Sequence, residues 1–311
     1  MNINIPDTTD GIIVSGELDP AMAALLDAGF DDAAADEIKK TTEANPAVTD
    51  KIKTGINPDT LSQRVALDAK LFDNTGSMVN IVRLAAAAHD RALDTVQKVT
   101  VDEPVDVLAT AMWLNPYDGD KAGVIYSYTP VGNAPRFGST GIRLLGLTAW
   151  YDRYADLLAG TAAQAADLEG YNKTVYGMVG LVTDGFDNDS TVHDPESLAK
   201  IVRSYRRMKT FVPYAIYVGE MPTPGSYNYD TERSTTLRRL RAMSVDTNDV
   251  ELRDADLETL VRRIFTSCGF DPKMVFMPGQ DMRRIVAVFV AVSKLMASVS
   301  QGQMPEGLTE I

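Results

Sequence analysis

The segment Leu71-Phe72-Asp73-Asn74-Thr75-Gly76-Ser77-Met78 decides how this chain is read. An apolar run ends in an aspartate, and two hydroxyl residues follow at spacings of two and four, with a glycine between them. A polar turn, the nucleophile loop of a phosphatase and half of a metal site all have this composition. What separates them is what the chain places at the ends of its other strands.

Upstream of Asp73, residues 65–72 read as a strand. Downstream, 77–99 read as a helix, because Met78, Ile81, Val82, Ala85, Ala88, Ala92 and Val96 recur at three-and-four spacing. Residues 105–114 are a strand and 124–131 a second one, antiparallel to its neighbour. Residues 143–166 contain one helix or two in sequence, and 175–183 is a buried strand, apolar on both faces. A helix at 197–208 and a strand at 211–218 follow; helices at 235–242 and 256–268 enclose a weak strand near Val250, and 281–300 is a last helix. This alternation predicts an α/β fold, a doubly wound and mostly parallel sheet with helices on both faces. Ligands of such sheets bind at the carboxyl ends of the strands.

Residues 1–60 are acidic, rich in Ala, and nearly free of aromatics apart from Phe30. They are expected to form an extension with two short helices, near 20–28 and 31–45, that is partly mobile or else packs as an arm over an edge of the main domain. The main domain is expected over 61–268, with a C-terminal helix and tail over 269–311.

On the expected ligand edge lie Asp73, Thr75 and Ser77, then Gly146-Leu-Thr148-Ala-Trp-Tyr-Asp152 opening a helix, then Thr183-Asp184-Gly185-Phe186-Asp187-Asn188. Each part has a bland reading. A threonine before a helix caps it, and Asp-Gly is ordinary turn composition. Asp187 and Asn188 read as supports of the site or as solvated loop residues. Taken together the parts supply two carboxylates and three hydroxyls, all oxygen donors. That set suits a hard divalent cation, Mg²⁺ first, with Mn²⁺ or Ca²⁺ as alternatives. Gly76 gives the turn room, and Ser77 begins a helix.

The 311 residues are 45% hydrophobic, enough for a core, and carry a net charge of −13. That charge argues against nucleic-acid binding and against docking on anionic membranes, and favours cationic partners. A single cysteine, Cys268, excludes an intrachain disulfide, and with only His89 and His193 an all-Cys/His zinc site is excluded. The first residues lack the basic and apolar regions of a secretory signal, and the longest apolar run, near 285–292, is too short to span a bilayer. A cytoplasmic location is expected. His89 reads as a surface or interface residue, His193 as a helix cap, Cys268 as helix-end packing, and Trp113 and Trp150 as core or rim.

The three parts together resemble the von Willebrand factor A domain and its metal-ion-dependent adhesion site, over roughly 62–268. The family's Asp-x-Ser-x-Ser is here Asp73-Asn-Thr75-Gly-Ser77, and its Gly-Gly-Thr-Pro-Leu-Tyr-Asp is here Gly146-Leu-Thr148-Ala-Trp-Tyr-Asp152. Its Asp-Gly turn after a buried strand is Asp184-Gly185. The resemblance implies ligand roles for Asp73, Thr75, Ser77, Thr148 and Asp184. Thr140, in Gly-Ser-Thr-Gly-Ile, competes for the middle position, and the longer match around Thr148 favours the latter. The last helix faintly resembles the tail of the tellurite-resistance-type members, which are intracellular bacterial proteins.

The function so implied is binding, not catalysis: a Mg²⁺-dependent protein-interaction module whose metal accepts an Asp or Glu from a partner. An AAA+ ATPase, a stress or defence complex, or a structural or virion assembly would supply that partner. The alternative is a haloacid-dehalogenase-type phosphatase. Such an enzyme needs an acid two residues after its nucleophile, where Thr75 stands and cannot serve. A phosphate-binding G-x-x-x-x-G-K-[ST] loop is missing from the sequence.

Overall fold

The structure, a computed structural model, describes residues 20–117, 122–137, 142–247 and 250–303. Its strands are β1 (Arg64–Phe72), β2 (Val105–Trp113), β3 (Val124–Pro130), β4 (Thr174–Thr183), β5 (Phe211–Tyr217) and β6 (Val275–Phe276). They form one sheet in the order β3-β2-β1-β4-β5-β6, with β3 antiparallel to β2 and the other pairings parallel. The fold class expected from the alternation is the one observed. The chain winds outward from β1 through β2 to β3, then returns to β4 and winds the other way. The carboxyl ends of β1 and β4 therefore flank the switch point, where loops diverge and leave a crevice.

The helices are α1 (Pro20–Asp27), α2 (Asp32–Ala44), α3 (Pro46–Ile52), α4 (Val82–Thr100), α5 (Trp150–Glu169), α6 (Pro195–Arg207), α7 (Tyr229–Ala242), α8 (Val250–Asp254), α9 (Leu257–Ser267) and α10 (Met282–Ser300). Alternation along β1 divides the core. Val65, Leu67, Ala69 and Leu71 face the layer of α5, α6 and α9, whereas Ala66 and Phe72 face α4 and α10. On β4, glycines admit large rings: a Cβ at Gly177 would lie 2.4 Å from the Phe211 ring, and one at Gly180 2.3 Å from the Tyr214 ring.

Asp68 and Lys70 are the exception on the α4 side of β1. Both are 2% exposed and bonded to each other. An alternating polar face in a strand ordinarily reads as solvent-facing, yet here both charges are enclosed. His89, expected at the surface, is also buried. It bonds the Tyr126 hydroxyl through Nε2 at 2.9 Å and packs on Phe72 and Phe137 with ring centroids at 5.1 and 4.6 Å. Burial holds its pKa well below the usual imidazole value. Position 89 belongs to the apolar stripe of α4, four residues after Ala85 and seven before Val96, so the helix turns it inward.

The described N-terminal helices pack on the main domain. Phe30, Ala34, Ile38, Val48 and Ile52 join the core under α5 and α6, and Ser127 of edge strand β3 donates to the Lys51 carbonyl at 2.5 Å. Gly160 lets α3 approach α5, since a Cβ there would lie 2.7 Å from Ile52 Cγ2. At the other end, β6 and α10 lie beyond residue 268 and complete the sheet and one of its layers.

Local expectations differ from the structure in several places. The segment from Arg143 to Ala149 is not helical, and α5 starts at Trp150 after Gly146 in the left-handed region, φ 63°. The expected strand near Val250 is the short helix α8, and α3, not foreseen, starts with Pro46 at its first turn. No helix among the described residues is long and apolar enough to cross a membrane.

Candidate metal centre

β1 runs straight into the site. The Asp73 backbone still bonds the Val182 carbonyl of β4 at 2.8 Å, so its carboxylate is delivered at the switch point by the sheet itself. The side chain is fully buried. Its Oδ1 accepts the Thr75 N–H at 2.8 Å, closing the turn, and its Oδ2 accepts the Thr183 hydroxyl at 2.6 Å. Thr183 Oγ1 in turn accepts the Gly185 N–H at 3.0 Å, which sets the direction of the chain leaving β4.

A 3₁₀ turn over Gly76–Asn80 then brings Ser77 round. Its hydroxyl donates to Asp184 Oδ1 at 2.8 Å and lies 3.1 Å from Thr75 Oγ1. Thr148 reaches the same place from the start of α5: a Cβ built on Gly185 would meet Thr148 Oγ1 at 3.6 Å and Asp73 Oδ2 at 3.9 Å. The structure thus brings Asp73, Thr75, Ser77, Thr148 and Asp184 together from three separate loops. Thr140 lies outside the described residues.

The supports of these five residues were mostly unforeseen. Asn188 clips Thr148 on both sides, accepting its N–H through Oδ1 and donating its own N–H to its carbonyl, each at 2.8 Å. Asp187 accepts the Tyr151 N–H at 3.0 Å and the Ser190 hydroxyl at 2.6 Å. Asp152 accepts the backbone N–H groups of Thr191, Val192 and His193 at 2.7 to 3.1 Å. Asn74, buried inside the opening motif, accepts the Asn115 N–H at 2.8 Å and donates to the Asn115 and Arg143 carbonyls. Asn115 then donates to the carbonyls of Leu145 and Leu147 on either side of Gly146. The available signal was composition: Asn, Asp and Ser crowd the loops next to each motif, and such side chains bond nearby backbone.

His193 is not the cap of α6. Asp194 is, through a capping box with Ser197. His193 is buried against α2 instead, its Nε2 2.8 Å from Thr41 Oγ1, because Asp152 pins its backbone inward. Cys268 is buried at the end of α9, and Trp113 and Trp150 are in the core, as expected.

Burial raises the Asp73 carboxyl above its ordinary pKa, against the lowering effect of its hydrogen bonds to Thr183 and Thr75. Asp184 is pushed up to about 6, first by burial and further by the charge on Asp73, with the Ser77 hydroxyl opposing. Two carboxylates, Asp73 buried and Asp184 partly so, each raised, form a place where positive charge is favoured. Among the described residues no three or more His, Cys, Asp or Glu side chains gather as a metal cluster, so a cation here would draw on the hydroxyls as well. Val79 and Leu147, close in sequence to Ser77 and Thr148, are each 56% exposed.

No known family's sequence pattern matches the chain, and no curated protein matches it in sequence. Among solved structures, the pilus adhesin SpaC from Lactobacillus rhamnosus GG is similar at 15% identity and a TM-score of 0.46, over 80% of this chain and 31% of that one. Proximal thread matrix protein 1 from the mussel byssus is similar at 15% identity and 0.41, over 76% and 48%. A von Willebrand factor type A protein from Catenulispora acidiphila is similar at 14% and 0.38, over 76% and 43%. The chain spans between about a third and a half of the length of these proteins.

Proposed function

We propose that this chain is a cation-dependent protein-interaction module of the von Willebrand A type, and not an enzyme. Mg²⁺, or Mn²⁺ or Ca²⁺ in its place, would be held by Asp73, Thr75, Ser77, Thr148 and Asp184, and would supply a positive centre to which a partner's Asp or Glu binds. The observation that carries this reading is the meeting of two carboxylates and three hydroxyls from three loops at the switch point of the sheet. The donors are the oxygens that hard cations prefer. A cation is also what would let a chain of net charge −13 accept an acidic ligand at this edge. The exposed Val79 and Leu147 would contact the residues that flank the partner's acid.

An AAA+ ATPase or a stress or defence complex inside the cell is the partner class proposed, with a structural assembly as the second. The presence of a single cysteine agrees with a reducing compartment.

Calorimetry with Mg²⁺ and Mn²⁺, and capture from extract in Mg²⁺ or in EDTA, test the reading. Expected are metal binding by the parent protein and partner capture that EDTA abolishes. Asp73→Ala should lose both, while Ser77→Ala, at an exposed position, should lose at least roughly tenfold in metal affinity with an unchanged circular dichroism spectrum. Equal capture in EDTA, together with no metal binding by the parent, would sink the proposal.

A further inference from the structure

At the opposite, amino end of the sheet, α6 carries Arg203, Arg206 and Arg207 in its last turns. Their spacing of three and four places all three guanidinium groups on one side of the helix. That side looks over a cavity of about 460 Å³ whose other walls are Phe211, Val212 and Pro213 of β5, Met274 and Asp271. The cavity exists because the sheet stops short. β6 pairs only with Ala215 and Ile216, so Phe211–Pro213 have no strand beyond them. Pro213 also has no N–H to offer an added strand, which leaves the space to a ligand that does not extend the sheet.

The charges around it do not balance. Arg206 donates to the Gly269 carbonyl at 2.9 Å and to Asp271 Oδ2 at 2.8 Å, and Arg207 pairs with Asp31. The Arg203 side chain is exposed and makes no hydrogen bond or ion pair among the described residues. Two carboxylates thus answer three mutually repelling guanidinium groups, in a chain of net charge −13. Basic residues suit the end of a helix, but that does not account for the apolar floor they enclose.

We propose that this cavity binds a small organic anion, a carboxylate or phosphate carried on an aromatic or aliphatic body. Arg203 takes the anion in the paired geometry that a guanidinium offers to carboxylate and phosphate oxygens. Arg206, held in place by Asp271 and Gly269, supports it. Phe211, Pro213 and Met274 take the body. The volume falls among those of ordinary small-molecule sites. The proposal stands apart from the candidate metal centre, which lies at the other end of the strands.

Calorimetric titration of the full chain in EDTA, with phenyl phosphate, benzoate, inorganic phosphate and benzylamine, tests it. One or both aryl anions should bind in the sub-millimolar range, at least roughly tenfold tighter than inorganic phosphate, and benzylamine should not bind. Arg203→Gln should weaken the aryl anion at least roughly tenfold with an unchanged circular dichroism spectrum. Absence of aryl-anion binding, or full affinity in Arg203→Gln, would overturn the site. Inorganic phosphate binding as tightly as phenyl phosphate would overturn the role of the apolar floor, and benzylamine binding equally would overturn selection by charge.

Discussion

At Gly185 there is room for a methyl group but not to spare. The added carbon would sit 3.6 Å from Thr148 Oγ1 and 3.9 Å from Asp73 Oδ2, which is ordinary contact. Gly185→Ala is expected to change folding stability by less than about 1 kcal/mol while narrowing the space between the oxygen donors, so that Mg²⁺ affinity falls. Gly180→Ala, whose Cβ would lie 2.3 Å from the Tyr214 ring, should instead destabilise by about 1–3 kcal/mol through overpacking. Thermal melts and Mg²⁺ titrations of the two variants separate these outcomes. Asp156 offers a test in pH. Burial pushes its carboxyl up to about 6, against the opposing pull of Arg153. The folded state therefore holds this proton more tightly than the unfolded one. The resulting stability is complete below the ordinary carboxyl pKa, 3.8, and is lost as pH rises through about 6. The change amounts to at most about 3 kcal/mol. Urea denaturation between these limits should show that slope, and Asp156→Asn should flatten it. At this scale the sequence was most readable in Asp73-x-Thr75-x-Ser77, where the spacing alone announces that the three side chains meet in one turn. His89 was misread although its place in the apolar stripe of α4 was visible, because imidazole occurs at a surface and in a buried site alike.

Among elements, the loop between β4 and α6 is held from two sides. Asp152 at the start of α5 gathers the backbone of residues 191–193, and α2 grips the same stretch from outside. Lys40 Nζ donates to the Val192 carbonyl at 2.8 Å, and Thr41 Oγ1 meets His193 Nε2 at 2.8 Å. Replacing Lys40→Ala and Thr41→Val together should speed hydrogen exchange in this loop while α6 stays protected. Unaltered exchange would deny α2 any share in holding it. The helices themselves were legible from their 3.6-residue period, and their ends were less so. The start of α5 within 143–166 was left open because Arg143–Leu147 is apolar enough to continue the pattern, while Gly146 in a left-handed conformation and the bonds of Asn115 to the Leu145 and Leu147 carbonyls break it. Five residues at Val250 carry too little pattern to tell a helix from a strand.

For the molecule as a whole, the boundary drawn at residue 268 has a measurable consequence. Truncation there removes β6 and α10, and with them Ile285, Val288, Phe289, Val292, Leu295, Met296 and Val299, all buried against α4 and the sheet. Burying such side chains is worth on the order of 10 kcal/mol in sum, comparable with the whole stability of an ordinary domain. The fragment 1–268 is expected to be insoluble or to lack a cooperative melt. A soluble fragment with a sharp transition would contradict this. The doubly wound sheet was readable because its apolar strands and intervening helices announce themselves locally. The contribution of α10 was not, since its partner α4 lies almost two hundred residues earlier in the chain, and β6 spans only two residues.

Asp68 and Lys70 set a condition on how this protein changes over time. Losing either one alone strands a charge in the core, at a cost of about 3–5 kcal/mol. Losing both to well-packed apolar residues is often neutral or favourable. A lineage that accepts single substitutions one after another thus meets a valley between two viable sequences, and the first step across it consumes much of the margin on which folding depends. The pair can persist by inheritance even where an apolar strand would serve as well.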